Sequence, residues 1–580
     1  MRSRFIFSLL CTFLIFQGCV DDRYDLGNIN TDVTLFQDSI SLKLGQSKGS
    51  NMSDLFFNGI DEISIDENGM FLATYVIESD FPLPNINDIQ PNPVNLYSNY
   101  ALNILPNGDV NSDIQLSIEN SNEFSFSFPY GSPLEELDHA TFDTNANYST
   151  VNIDISVNEL SVYGGNATAD VTLEFPASLG FDGLPNNQIS IPIDLTENTR
   201  SYNSQLKLNR ADAPDQSGRY TVNNSILLNI KEGAYIYATP NASISIIISI
   251  NNIRFITAYG KFKIDDSKMV SIKIADLYKY VDEDDNNQFS VTEPYVLMKT
   301  ESNVGFPINM NVSFIPFKNN EPIRLADRWH SPLTANSQIL LHPSESPTSS
   351  PKINNFAFGP VIQPEWESEW EEMIGDPLNL ILKEMPDSLL INARGITFEN
   401  DNTEKMFLTV NSRMDMEYRL IIPFKMEHDF HVTLKDTLMD VLDKDVRDML
   451  FKANQNPTVK DSIVLFGTVE SGIPLHFEMN IYPLDENMNR INVDLGKQEI
   501  DAGREDRMEE SPFELSIRQD DYEAMRNAEH FEVVYLAKSD QLIRNTPITE
   551  NSLLKINMKV KKWGGITFSS SNEEEENNNY

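Results

Sequence analysis

The chain is 580 residues long, enough for several domains that each bury a core of their own. It carries 87 acidic against 44 basic residues, a formal net charge of −43. A surface of that sign repels nucleic-acid phosphates and anionic lipid headgroups, which excludes both as partners.

Residues 1–18 have the layout of an export signal. Arg2 and Arg4 give a basic start, Phe5 to Phe16 form an apolar run broken only by Ser8 and Thr12, and Gly18 is a small residue at the cut. The run is too short to span a bilayer, which takes about 20 apolar residues. Ordinary signal peptidase wants a small residue where Phe16 stands, whereas a lipoprotein peptidase cuts before a cysteine. Cys19 is therefore expected to be acylated. Cys11 leaves with the signal, so Cys19 is the only cysteine of the mature chain and internal disulfides are impossible. Each buried lipid CH₂ is worth roughly 0.8 kcal/mol, so two or three chains anchor stably where one does not. The stretch that begins at Cys19, C-V-D-D-R-Y-D-L-G-N-I-N-T-D, resembles surface lipoproteins of Bacteroidetes-type bacteria, many of which carry acids after the lipidated cysteine and then a YDL-type stretch. The resemblance implies that Asp21 and Asp22 form the signal that exports such lipoproteins to the outer face of the outer membrane. It implies a location, with the membrane itself as a partner through the lipid anchor, and no activity. Phe16 and Gln17 depart from the usual lipobox, where Leu and a small residue are commoner.

Residues 19–31 read as a polar tether. Val33–Leu44 roughly alternates apolar and polar residues, the pattern of a strand, and 63–77 reads as a hairpin turning at Asp66-Glu67-Asn68-Gly69. Short alternating runs continue at 124–128, 151–157, 169–175 and 189–195, so 32–240 forms an N-terminal β-rich region of one or two domains. Helical patterns are few, which favours a mainly β fold of tandem β-sandwich-like domains with a few short helices.

Beyond residue 240 the chain repeats itself. FKIDDSKMVSIK (262–273) matches FKMEHDFHVTLK (424–435), GFPINMNVSFIPF (305–317) matches GIPLHFEMNIYPL (472–484), and GITF recurs at 395–398 and 565–568. The spacing implies a duplicated unit of about 165 residues, at 241–398 and 399–568. Each unit is expected to hold a late helix, from 364–374 in one copy and 519–530 in the other. Residues 569–580 are almost free of apolar side chains and read as a disordered acidic tail.

Several stretches suggest chemistry. G-Q-S-K-G (45–49) has nucleophile-elbow spacing but lacks an α/β setting and reads as a polar turn. His428 and His431 lie three apart, which on a strand points them to opposite faces, so they read as surface histidines rather than metal ligands. Asp282, Asp284, Asn286, Ser290 and Glu293 fall at calcium-loop positions 1, 3, 5, 9 and 12, with Asn287 where Gly usually stands. The alternative is a solvated acidic loop, and calcium is the one cofactor the sequence suggests. Trp366 and Trp370 are four apart, with Trp329 upstream. They suit either the buried stripe of an amphipathic helix or a sugar-binding platform. Four Asp-Ser/Thr-aliphatic triplets resemble O-glycosylation acceptors of the same bacterial group.

The expectation is an outer-membrane, surface-exposed lipoprotein with a binding or structural role and no catalysis, meeting a glycan or protein partner at the cell surface. The competing readings are an accessory glycan-binding lipoprotein of a nutrient-uptake system, a fimbrial or adhesin subunit, and an extracellular hydrolase.

Overall fold

A computed structural model describes residues 60–568 and the backbone of strands Val33–Leu35, Ser39–Gln46 and Ser50–Asn51, apart from residues 146, 197–200, 279–286, 325–332, 361–371, 376–377, 398–405, 439–449, 452–461, 505 and 564–565. Strand makes up 59% of it and helix 5%, so the fold is mainly β. Among the described strand pairs only Lys352–Gly359 with Glu372–Gly375 runs parallel.

Period-two burial builds the strands into two-sheet sandwiches. In Tyr235–Asn251 the side chains of Ile244, Ile246, Ile248 and Ile250 are buried while Ile247 between them is exposed. Each fully buried aliphatic side chain contributes roughly 1.5–3 kcal/mol, and the buried apolar residues form one continuous cluster through the molecule.

In what we call the inner sandwich, one sheet runs Ser201–Ala211, Thr150–Tyr163, Tyr235–Asn251, Val94–Ala101. Facing it runs Gln188–Asp194, Ala167–Glu174, Tyr220–Ile230, Ile114–Phe124. Numbered in chain order, the two sheets are 6-3-8-1 and 5-4-7-2. The Tyr100 hydroxyl donates to the Asn224 carbonyl at 3.3 Å across the sheets. Pro192, with no N–H to offer, sits on the edge strand. Leu134–Phe142 and Phe255–Phe262 extend the first sheet.

The middle sandwich repeats the same order. Its sheets are Lys352–Gly359, Tyr295–Ser302, Met414–Pro423, Phe71–Asp80 and Ala335–Leu341, Ile308–Lys318, Ser388–Ile396, Asp265–Lys273. The rings of Phe314 and Phe358 meet between them at 5.2 Å. The outer sandwich does so again, with Glu509–Arg518, Ser462–Ser471, Leu553–Trp563, Ser39–Gln46 and Lys497–Ile500, His476–Leu484, His530–Lys538, His431–Leu438. An eight-stranded sandwich with this order is a jelly roll. The described residues thus form three jelly rolls, one more copy than the sequence repeats reveal.

The rolls are nested rather than strung in line. The chain lays down the first strand of the outer roll, then the first strand of the middle roll, then the whole inner roll. It returns through the seven remaining strands of the middle roll and finally those of the outer one. Each inserted roll occupies the connection between strands 1 and 2 of the next. Antiparallel alternation puts that connection at one end of a roll, the top, with connections 3–4, 5–6 and 7–8. Both ends of the roll's own chain lie at the opposite end, the base.

This path changes the expected segmentation. Residues 33–51 pair in the outer roll and 63–80 in the middle one, so neither belongs to a separate N-terminal region. The junction expected at 398/399 lies inside the middle roll, whose last strand is Met414–Pro423. Of the three repeated motifs, the proline-bounded strands are equivalent: Asn309 faces Ile396 as His476 faces Lys538. The two GITF stretches are not. The first ends Ser388–Ile396, whose counterpart is His530–Lys538, whereas Ile566–Phe568 pairs with Val33–Leu35. The first motif is displaced, because Thr397 N donates to Ile264 O as Ser539 N donates to Phe430 O. The hairpin expected at 63–77 forms, with Ile63–Ile65 pairing Phe71–Ala73 and the Asp66 carboxylate accepting from the amides of Asn68 and Met70. Residues 125–128 lie outside any strand, and 372–374, the described end of the helix expected at 364–374, belong to the strand Glu372–Gly375; a described α-helix of the middle roll is Leu378–Leu382. In the outer roll the helix Tyr522–Met525 falls within the expected 519–530.

Candidate functional site

Cys19, Asp21, Asp22, Trp329, Trp366, Trp370, Asp282, Asp284 and Asn286 lie outside the described residues. The rest of the calcium-spaced loop, Ser290 and Glu293, lies where the base of the middle roll meets the top of the outer one. There it meets the other stretch singled out for its chemistry, 427–431. Gln288 and His431 exchange backbone hydrogen bonds, and Glu427 N donates to Ser290 O. Asn287 Oδ1 accepts from Thr433 N at 2.9 Å. Phe289 is buried against the rings of Tyr278, Phe424 and Phe430. Glu293 Oε2 is 2.9 Å from Lys425 Nζ, so an ammonium already neutralises the carboxylate at position 12. Lys383 pairs with Asp429. Burial pushes the Asp429 carboxyl up, but the Lys383 ammonium outweighs that and holds it below its usual range. The described part of the loop is thus a strap between two rolls. His428 is exposed beside Glu427, while His431 Nδ1 lies 3.1 Å from the Asp429 carbonyl.

The other feature that stands out was not singled out in the sequence. At the top of the inner roll, Tyr163 ends strand 3, and Tyr235 lies directly opposite it at the start of strand 8. On the other side Tyr235 pairs with Asp109 of connection 1–2, and two residues along its own strand Tyr237 faces the same way. Val162, Ile236 and Ala238 on the reverse face are buried, which turns the three rings outward. Tyr163, Tyr235 and Tyr237 are 61%, 46% and 56% exposed, and Ile104 in connection 1–2 is 65% exposed. None of the three phenol hydroxyls, nor the Asp109 carboxylate, makes a hydrogen bond or ion pair among the described residues. The rim continues through Glu159, which sits at a β-bulge with φ of 52° and accepts from the Thr239 hydroxyl. Segments 103–110, 158–166 and 232–242, which carry these residues, contain no Lys, Arg or His; Lys231 opens the 7–8 connection, and Arg200 of the 5–6 connection lies outside the described residues. The sequence signal was the Tyr-Ile-Tyr alternation at 235–237. It looks like any other half-buried strand until Tyr163 is known to lie opposite.

The tops of the other two rolls are covered. The 7–8 connection of the middle roll supplies Phe407–Thr409, which pairs with Phe255–Phe262 of the inner roll, and Phe306 of its 3–4 connection packs on Phe262 at 5.4 Å. In the outer roll the 7–8 connection bonds to the middle roll through Ile548 O, which accepts from Phe71 N, and through Glu550 N, which donates to Gly69 O. Ile548, and Ile473 of the 3–4 connection, are fully buried.

No family model matches the chain, and no curated protein matches it. Among solved structures it is similar to a "putative secreted protein" from Parabacteroides distasonis, at 16% identity and a TM-score of 0.37, over 52% of this chain and 83% of that one. It also aligns with structures of Broad Bean Stain Virus (8% identity, TM-score 0.12, 64% of this chain and 94% of that one) and Sulfolobus Turreted Icosahedral Virus (9%, 0.11, 79% and 92%). At these scores the jelly-roll description rests on the strand order itself. No helix among the described residues is long and apolar enough to cross a membrane.

Proposed function

We propose that the protein is an outer-membrane lipoprotein, held by acylated Cys19, that faces the exterior and binds a partner without catalysing a reaction. The nested chain path carries this reading. Val33–Leu35 pairs with Ile566–Phe568, so the segment that follows Cys19 enters the fold beside the chain's last strand, at the base of the outer roll. A tether from that base leaves the inner roll last in the series, where a partner would meet it. In support of a non-catalytic role, Glu293 and Asp429, the described acids of the two stretches that face another segment, are each paired with a lysine.

Fractionation of expressing cells tests the anchor. The unaltered chain is expected in the outer membrane and open to protease added outside intact cells, and Cys19→Ser is expected in the soluble fraction. A Cys19→Ser chain that stayed with the membrane would overturn the lipidation. Asp21→Ala combined with Asp22→Ala should keep the protein membrane-bound but protected from external protease.

A further inference from the structure

We infer that the uncovered top of the inner roll is a docking site for a lysine- or arginine-bearing segment of a partner protein, received by Tyr163, Tyr235, Tyr237, Ile104 and Asp109. This rests on the binding role proposed above and names the site and chemistry of the partner.

The first argument is internal to the molecule. All three rolls share one topology, and in two of them the top carries another folded unit on apolar and aromatic residues such as Phe306, Phe407 and Ile548. The inner roll has the same top with no further roll on it among the described residues, and there Ile104, Tyr163, Tyr235 and Tyr237 are exposed over the buried Leu102, Leu105 and Val110. A soluble surface rarely groups large apolar side chains in this way unless something binds them. The second argument is charge. Asp109, Glu159 and Glu232 stand around the rings with no basic residue in the three segments, while Lys231 beside them is held by Asp113 at 2.7 Å. Aromatic faces attract cations, and carboxylates at the edge reinforce the attraction. Long basic side chains also bring apolar stems to lie along the rings and Ile104. An acidic partner would be repelled, and a neutral one would gain nothing from the carboxylate charge. A basic segment uses both features of the site.

The test is a titration of the full chain, detergent-solubilised, with a twelve-residue peptide alternating arginine and threonine. A glutamate–threonine peptide and a neutral gluco-oligosaccharide serve as competitors of different chemistry. The expected result is binding of the basic peptide alone. The combined Tyr163→Thr, Tyr235→Thr and Tyr237→Thr variant should weaken it about tenfold or more, and Asp109→Asn about threefold. Tyr97→Thr, on the same sheet but remote from the site, should leave it unchanged. Because the tyrosine changes leave the charge untouched, equal binding by that variant would mean that the peptide meets only the general negative surface, which overturns the site. Tyrosine-dependent binding of the oligosaccharide or the acidic peptide instead, or no binding at all, also overturns it. Thermal melting checks that the variant folds, and Tyr235→Thr alone gives the same readout if it does not. The assay needs no membrane, so its outcome is independent of whether Cys19 anchors the chain.

Discussion

Thr300 is fully buried, faces the core of the middle roll opposite Asn354 and Met416, and its hydroxyl has no hydrogen-bond partner. A buried polar group left unpaired costs roughly 1–3 kcal/mol. Thr300→Val, which keeps the β-branched shape, is therefore expected to raise the melting temperature by a few degrees, whereas a fall would show that the hydroxyl is satisfied. Asn354, whose Nδ2 is likewise unpaired, differs in that its Oδ1 accepts from His342 N at 3.0 Å, so Asn354→Leu, which strands that amide, should destabilise. Charge at the outer roll gives a pH dependence. Burial raises the Asp540 carboxyl, but the amides of Leu542 and Ile543 at 2.7 and 3.2 Å and the His476 ring outweigh it, so it titrates below its usual range. Asp429 shifts the same way. A carboxyl that binds its proton less readily folded than unfolded adds stability above its unfolded value. That stability is lost as the pH falls through its folded value. Melting temperature should thus drop below about pH 4, near the ordinary aspartate value. Asp540→Asn should shallow that drop, since an amide oxygen can still accept from Leu542 and Ile543; an unchanged acid limb would count against the assignment.

Among the elements, Ser39–Gln46 is the one whose place is least local. It pairs with Leu553–Trp563, which comes last in the outer roll, and between them the chain builds everything else. The loop-closure cost of such a pairing grows only slowly with length, by about 0.6 kcal/mol per doubling, so sheet burial can offset it. Deleting residues 32–51 should leave Leu553–Trp563 as an open edge. Hydrogen exchange is then expected to speed up in that strand and in Ser462–Ser471 while Thr150–Tyr163 of the inner roll keeps its protection. Uniform loosening of all three rolls would contradict the nesting. Elements also show where pattern reading stops. The alternation in Ala167–Glu174 and Gln188–Asp194 marks strands correctly, because burying one face demands period two. The same alternation at 124–128 ends in irregular chain, where Phe126 is still partly buried: a core can take an aromatic side chain from a segment without a ladder. Residues 372–374 end a helix-like stretch, yet they add to the edge of a sheet. Tertiary pairing overrides local propensity in short segments.

At the scale of the molecule the balance of charge decides how the solution conditions act. Many of the described ion pairs are exposed, such as Arg394–Asp265 at 54% and 51%, and exposed pairs are worth about 0–1 kcal/mol. A net charge of −43 repels itself over the whole surface. Repulsion therefore outweighs attraction, and raising sodium chloride from about 10 mM to about 300 mM, which shortens the Debye length severalfold, should raise the melting temperature. A fall with salt would mean that the pairs dominate. The same charge bears on the uncovered top of the inner roll, since it draws basic segments toward the chain at long range while the tyrosines decide where they settle.

Period-two hydrophobicity, the shortage of helical patterns and the repeated proline-bounded strands were enough by themselves to determine a mainly β chain with an internal repeat. Those features act through neighbours in the chain or through motifs kept nearly intact between copies. The third copy was not legible, because the inner roll's fourth strand opens on Ala167 with no proline before it, and strand order leaves no trace in a single alternating segment. Nor was the nesting, since a strand's pattern says that one face is buried and not against which partner. Only the tertiary pairing carried Ser39–Gln46 to the far end of the chain. It turned the calcium-spaced loop's described residues and the 427–431 stretch into a strap between rolls. It also set Tyr163 beside Tyr235, where three ordinary tyrosines become one exposed surface.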